Sequence, residues 1–554
     1  MMSKPFMCMH TPGGSGGRCA AGRIVISLLG VLIVCISSLL FGGDGAEIIY
    51  RSDPEFQYAE FGAIESGRNI TGNQHAVTRS EFRYRILGSL PIPNDSFTPG
   101  GKVQLSPGVT AFHNSYQDTR GNDRHYPLAM IYLYDKMPKA ASITLFGGLN
   151  DTLYSKMTYS MCAAKSSIDG GSGVLHPLSF DSYMSGDSPD EGYISYSMKY
   201  LSVTIGRFKG GIGNGLMGNL FQNSLAPYYD QLQFSLYNKT IKYYFMIGFS
   251  SSELTDDEYK VQNSLTNTVD YQKTWGKLAD STRIGERISD SSKIFAFHRV
   301  EFFLFEKMVF GLGEMNLIGG NYPTLSVINP LSVYHDTYDS RRSYYFSTDL
   351  SFIPAKRHFL FLELLSNEIR VPGERSGDPT ALAFQGGYWY ILPLGNPVKH
   401  RLAFEYTHVD TWTYSDSVPY LTMYQRQKRR ETLYDVPLGY SQGGDCQQFS
   451  LMYTALSPEG FNINLSATHL QKGGVRFTLD EEGEMPYKKA HTYRFGPSGT
   501  VEKWYSGECK VSIPVNERFS VGVLCHGSYI TNFNNEKGNK GYLLMASLSS
   551  TVKI

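Results

Sequence analysis

Three stretches carry residues whose types and spacing could do chemistry. Gly213-Asn214-Gly215-Leu216-Met217-Gly218 fits G-x-G-x-x-G and follows the strand-like run YLSVTIG. In a βαβ unit such a turn sets backbone N–H groups against a pyrophosphate. His408 stands two residues before Asp410, and His335 directly precedes Asp336, pairs from which a general base could be built. The loop VDTWTYSDSVPYLTMYQRQKRRETLYD follows His408 and holds Trp412, Tyr414, Tyr420 and Tyr424 beside Arg426, Lys428, Arg429 and Arg430. Aromatic rings suit the apolar C–H faces of sugars. Arginine meets a sugar carboxylate through two parallel hydrogen bonds.

Each chemistry needs its scaffold. A dinucleotide loop needs a helix after its last glycine and an acidic residue about 20 positions on. Here NLFQNSLAPYYDQLQFSLY follows Gly218; Pro227 interrupts a helix, Asp230 comes too early, and strand-type alternation resumes at Leu232, Phe234 and Leu236. The glycines therefore read as a close-packed loop that folds inward. No serine partner can be placed for His298, His335, His358, His408 or His469. No zinc spacing and no D-x-D-x-D-G calcium loop occurs. The expectation is a protein that is not an enzyme and holds no cofactor or metal. Gly13-Gly14-Ser15-Gly16-Gly17 matches a nucleophile elbow but falls in a targeting segment.

That segment is residues 1–45. Arg18 and Arg23 precede the apolar run Ile24–Phe41, the pattern of a secretory signal, and long enough for an anchor. Val34 is too large for a lipoprotein box ending at Cys35. No second apolar run of this length exists, which excludes a helical membrane bundle. The 554 residues balance 51 Lys+Arg against 51 Asp+Glu, giving no charge argument for nucleic acid. The 39 Tyr and 32 Phe favour strands.

Beyond residue 45 the chain alternates. Ile241, Tyr243, Phe245, Ile247 and Phe249 share one strand face; Phe461, Ile463, Leu465 and Ala467 share another. Short connections fall near 514–518, 456–460, 393–399, 353–356, 306–307 and 238–240. Long polar ones fall near 526–541, 470–507, 409–446, 366–380, 318–342 and 251–292. The two kinds alternate in phase, as in a transmembrane barrel with periplasmic turns and extracellular loops. The reading is all-β: a closed antiparallel transmembrane barrel of roughly 18 strands over 46–554, in the bacterial outer membrane. With 514–518 as a turn, Val511 faces Val521, and Cys509 lies diagonal to Cys525, both free. Arg207 shares the parity of Val203 and Ile205, so it sits above the oily band or is re-aimed by a bulge.

GRFKGGIGNGLMGNLFQNSLAPYYDQLQFSLY, with Gly206, Arg207, Gly213, Gly215 and Gly218, resembles a segment of the Wzi family of outer-membrane capsule-assembly proteins. Ile212 and Asn214 depart from the Trp and Pro common there. HRVEFFLFEKMVFGLGEMNLIGG from His298 and RLAFEYTHVDTWTYSD…YDVPLGYSQGGDCQQFSLMYT from Arg401 are similar as well. The resemblance implies a monomeric barrel closed by inserted segments that binds and retains surface polysaccharide. The aromatic and basic residues after His408 are the candidate polysaccharide site; lipopolysaccharide phosphate is the other ligand they suit. A general porin or solute channel is the alternative reading of the same barrel.

Overall fold

The computed structural model describes residues 44–69, 71–87, 100–114, 128–149, 152–161, 172–175, 189–250, 293–319, 325–334, 342–368, 380–394, 397–416, 421–429, 432–475 and 495–554. Residues 1–43 of the expected targeting segment lie outside these. The chain begins with a ribbon of β1 (Ile48–Tyr50) and β2 (Ala76–Thr78), flanking helix α1 (Pro54–Ser66) and followed by the helical turn α2 (Arg79–Phe82). The barrel strands follow: β3 (Gly100–Leu105), β4 (Gly108–Asn114), β5 (Ala141–Leu149), β6 (Leu153–Met161), β7 (Ser172–Leu175), β8 (Glu191–Ser197), β9 (Leu201–Phe208), β10 (Tyr229–Tyr237), β11 (Ile241–Ser250), β12 (Lys293–Leu304), β13 (Met308–Gly319), β14 (Arg342–Phe352), β15 (His358–Glu368), β16 (Ala381–Leu392) and β17 (Lys399–Val409). A hairpin of β18 (Tyr424–Arg429) and β19 (Thr432–Pro437) stands apart. The barrel resumes with β20 (Cys446–Leu456), β21 (Asn462–Lys472), β22 (Glu502–Pro514), β23 (Phe519–Thr531) and β24 (Lys540–Lys553).

β3 and β4 both pair with β24 and act as one strand broken at Ser106-Pro107, where proline removes a ladder donor. β7 is a short addition beside β4. Counted so, the antiparallel barrel closes with 18 strands. Side-chain parity builds the wall: on β15 Leu360, Leu362 and Leu364 are exposed outside, while Phe359, Phe361, Glu363 and Leu365 are buried in the lumen. Towards the loop end an outer aromatic row runs across the ladder, with Tyr406 4.6 Å from Phe449, His469 4.7 Å from Tyr505 and Tyr529 5.4 Å from Tyr542. Towards the turn end His358 bonds the Tyr388 hydroxyl at 2.6 Å, and His400 that of Tyr453 at 2.7 Å. Such cross-strand pairs stabilise a sheet by roughly 0.2–1 kcal/mol each.

Two expectations change. Cys509 lies directly opposite Cys525, not diagonal to it, and Val511 faces Val523. The Asn516 side chain accepts from the Arg518 and Phe519 N–H groups at 2.9 and 2.8 Å, which centres the turn one residue later and shifts the partner by two. Both thiols are free. The connection placed at 526–541 shrinks to 532–539, because β23 and β24 extend to pair Tyr529 with Tyr542 and Asn532, Asn534 and Asn535 turn tightly at positive φ.

Candidate functional site

The glycine stretch dips into the lumen. The Asn214 N–H donates to Glu363 Oε1 at 2.5 Å and the Leu220 N–H to Glu363 Oε2 at 3.5 Å. The Leu216 N–H donates to Glu405 Oε2 at 2.7 Å and the Met217 N–H to Glu405 Oε1 at 3.4 Å. Backbone N–H groups that would cradle a phosphate in a nucleotide site here cradle two carboxylates of the barrel wall. Gly213 has φ +134°, and a Cβ there would run into the Glu363 carboxylate. Sequence reasoning missed Glu363 and Glu405. Their signal is a carboxylate at an inward position between apolar outward neighbours, FLFLELL and LAFEY.

From the turn end, residues 44–87 close on the same loop. Arg51 pairs with Glu60 and donates to Gly213 O at 2.9 Å. Asn214 Nδ2 donates to Asn73 Oδ1 at 2.8 Å. Asn73 also bonds Asp349, whose carboxylate meets Arg299 Nη1 at 2.5 Å, and Arg299 Nε reaches Glu301 at 3.1 Å. Lys242 pairs with Glu81, and Lys399 with Glu65 at 2.7 Å. Apart from the partly exposed Lys399–Glu65 pair, these charges are buried and matched by opposite ones, as low dielectric demands.

His75 Nε2 lies 2.9 Å from Gly213 O and 3.3 Å from Asn219 Nδ2. Burial, with Arg51 nearby, pushes its pKa down to about 3. The folded protein keeps the ring neutral while the unfolded chain binds a proton below about 6.5, so this group's stability is full above that value and is lost as pH falls towards 3. His75→Gln should flatten the fall in unfolding free energy between neutral and pH 4.5 by up to about 2 kcal/mol, read from urea transitions in detergent at both pH values. Identical slopes in the two proteins would reject this.

From the loop end, residues 410–416 and 436–445 lie over the glycine loop. The Tyr414 hydroxyl donates to Leu220 O at 2.7 Å and accepts from the Tyr440 N–H at 3.1 Å. The Asn223 N–H donates to Leu438 O at 2.7 Å. Burial pushes the Tyr414 phenol well above its ordinary pKa, which keeps it a donor. Trp412 is buried against Ala381. Tyr424 lies under the Lys293 ammonium, 3.7 Å from its ring centre. Arg426 is buried and grips Asp435 at 2.6 and 2.8 Å. Lys428 and Arg429 lie on the backbone at the far end of β18, where the last pair is Arg429 with Thr432. Tyr420 and Arg430 fall outside the described residues. The structure thus brings Trp412, Tyr414, Tyr424 and Arg426 into the base of the loop cluster and puts Lys428 and Arg429 at the far end of the hairpin.

His408 Nε2 meets Asp410 Oδ1 at 2.8 Å, and its Nδ1 takes Gln447 Nε2 at 3.1 Å. Both ring nitrogens are occupied, and the ring stacks on Phe495 at 4.2 Å. His335 lies outside the described residues. Arg207 stands at the loop end of β9 and forks onto Asp230 at 2.7 and 2.6 Å. Among the described residues no group of His, Cys, Asp and Glu is arranged to hold a metal.

No family model and no curated protein matches the chain. Solved structures do. Wzi of Escherichia coli, an outer-membrane protein involved in group 1 capsule assembly and described as a carbohydrate-binding β-barrel, aligns at TM-score 0.53 over 92% of this chain and 99% of its own, with 10% identity. Pseudomonas aeruginosa OprD and OpdO align at TM-scores of 0.37 and 0.39, each with 9% identity over 82% of this chain. This chain is a bacterial outer-membrane β-barrel. Its short turns are then periplasmic and its long loops extracellular. The likeness at 10% identity carries the fold and no more.

Proposed function

We propose that this barrel binds surface polysaccharide at its extracellular end and does not conduct solutes. One observation carries the reading: the lumen is occupied by three hydrogen-bonded layers, residues 44–87, the glycine loop and residues 410–416 with 436–445. A channel needs a wet path, and buried side chains such as Leu220, Phe221 and Tyr414 fill this one. The Wzi-like architecture supports the same reading, because the protein it matches is a carbohydrate-binding barrel.

The proposed contact is the tip of the β18–β19 hairpin, with Lys428, Arg429 and Arg430 as the charged donors. Arg426 and Tyr414 hold the base on which that tip stands, and Trp412, Tyr420 and Tyr424 are the aromatic candidates beside it. An acidic glycan is the ligand that suits three adjacent cations. Arg429→Ala with Arg430→Ala should weaken an acidic polysaccharide about tenfold at low salt and reduce the salt dependence of binding. Retention of capsular or exopolysaccharide on cells, against release into the medium, reads the same function in vivo. Unchanged affinity at low salt removes the tip from the site; unchanged retention in a deletion strain removes the function.

A further inference from the structure

His298 on β12 and Glu314 on β13 are directly paired across the ladder and point outward, to the lipid side. They stand four residues above the stacked pair Phe302 and Phe310 near the periplasmic turn. That is about 10 Å into an apolar band about 25 Å tall. Polar side chains at this depth require cover. Ala296 and Asn316, outward neighbours in the same patch, are fully buried, so cover is present.

The cover is the chain's own segment 325–334, from the loop after β13. Pro330 O accepts from the Tyr243 hydroxyl and lies 3.2 Å from His298 Nδ1. The Tyr334 N–H donates to Glu314 Oε2 at 2.9 Å, and His298 Nε2 lies 3.3 Å from the same oxygen. The Tyr334 ring stacks on His298 at 4.5 Å with planes 7° apart. Asn329 Oδ1 accepts the Leu331 N–H at 3.0 Å, and Asn329 O the Ser332 N–H at 3.2 Å. Irregular backbone at membrane depth is tolerated only where its polar groups are satisfied. Here Pro330 O and the Tyr334 N–H are met by the outward Tyr243, His298 and Glu314, and the Leu331 and Ser332 N–H groups by Asn329. Among the described residues the other side of the segment exposes three large apolar side chains, Leu325 at 83%, Leu331 at 86% and Val333 at 54%, with Asn329 beside them.

We propose that residues 325–334 form a membrane-immersed strap, clamped to the outer wall by His298, Glu314 and Tyr243, whose Leu325, Leu331 and Val333 dock into the acyl chains of the bilayer core. The polar wall residues are the receptor for the strap, and the leucines and valine are its lipid-facing surface. The strap couples an extracellular loop to the bilayer on the side opposite the filled lumen.

The test uses tryptophan at position 331 in the full barrel, reconstituted into vesicles whose lipids carry brominated acyl chains. Trp275 is first replaced by Phe in all samples, and the remaining Trp389, Trp412 and Trp504 are buried within the protein, which leaves a low lipid-quenched background. Leu362→Trp on the exposed outer face of β15 is the lipid-facing reference. The added emission of Leu331→Trp should be quenched by bromolipid to within about twofold of that reference and be insensitive to iodide. Quenching by iodide without bromolipid overturns the proposal, and so does protection from both, which would mean a second copy covers the strap. Adding His298→Ala with Glu314→Ala, which removes both wall partners of the strap together, should shift the emission to iodide-quenchable by about threefold or more. A strap still quenched only by lipid would show that these residues do not hold it.

Discussion

Gly213→Val should turn a sealed barrel into a conducting one. Gly213 has φ +134°, a region that a β-branched residue does not enter without strain. Its Cβ would also meet the Glu363 carboxylate and the Asn219 side-chain oxygen. The loop cannot seat, and the Asn214, Leu216, Met217 and Leu220 N–H groups lose their hold on Glu363 and Glu405 together. Those carboxylates then need water, which draws solvent into the lumen. In planar bilayers the wild type should stay near baseline, and the variant should show open steps with mean conductance higher on the order of tenfold. The heat-modifiable mobility of the folded barrel in SDS should persist, since no strand pairing of the wall changes. A wild type that conducts as well as the variant would defeat the sealed-lumen reading and restore the solute channel.

The barrel was readable because two signals are independent of detail. Period-2 alternation gives each strand an oily and a polar face, and the alternation of short with long connections fixes the direction of every hairpin. What fills the barrel was less readable. Parity says that Glu363 and Glu405 point inward but not which backbone they meet, and that partner lies 149 residues away for Asn214 and 189 for Leu216. The loop after His408 shows the same limit. Its aromatic and basic composition suggests an exposed binding surface, yet Tyr414, Tyr424 and Arg426 are buried. Arg426 finds Asp435 only once the β18–β19 hairpin is registered, and a loop gives no periodicity from which to register it. The Cys509–Cys525 register failed on a smaller scale for a similar reason: one Asn516 side chain set the turn. Local polar capping outweighs pattern wherever the chain leaves the ladder.

Asp445 is where that capping matters most, and Asp445→Ala should undo the extracellular loop cluster. Its carboxylate accepts from Thr411 Oγ1 at 3.0 Å, the Val475 N–H at 2.9 Å, the Ser498 N–H at 2.8 Å and Ser498 Oγ at 2.6 Å. Its own N–H donates to Asp410 O at 3.1 Å, and its carbonyl accepts from the Gly473 N–H at 2.8 Å. One fully buried residue thus ties three separate connections, those after β17, before β20 and between β21 and β22. Alanine leaves the donors without partners at about 1–3 kcal/mol each, less than additive because the loops can rewet, for a net loss of about 3–5 kcal/mol. It also places an alanine at φ 56°, a further ~1 kcal/mol. Asp445→Asn separates the terms: asparagine tolerates this backbone and keeps one acceptor oxygen, so it should lose about half as much. The transmembrane wall does not depend on these bonds, so heat-modifiable mobility should survive in both variants. The loss should appear as trypsin cleavage on intact cells at the Arg426–Arg430 run, fast in Asp445→Ala, intermediate in Asp445→Asn and slow in the wild type. Equal cleavage in all three would mean that the loops are held by other contacts and that Asp445 is not their tie.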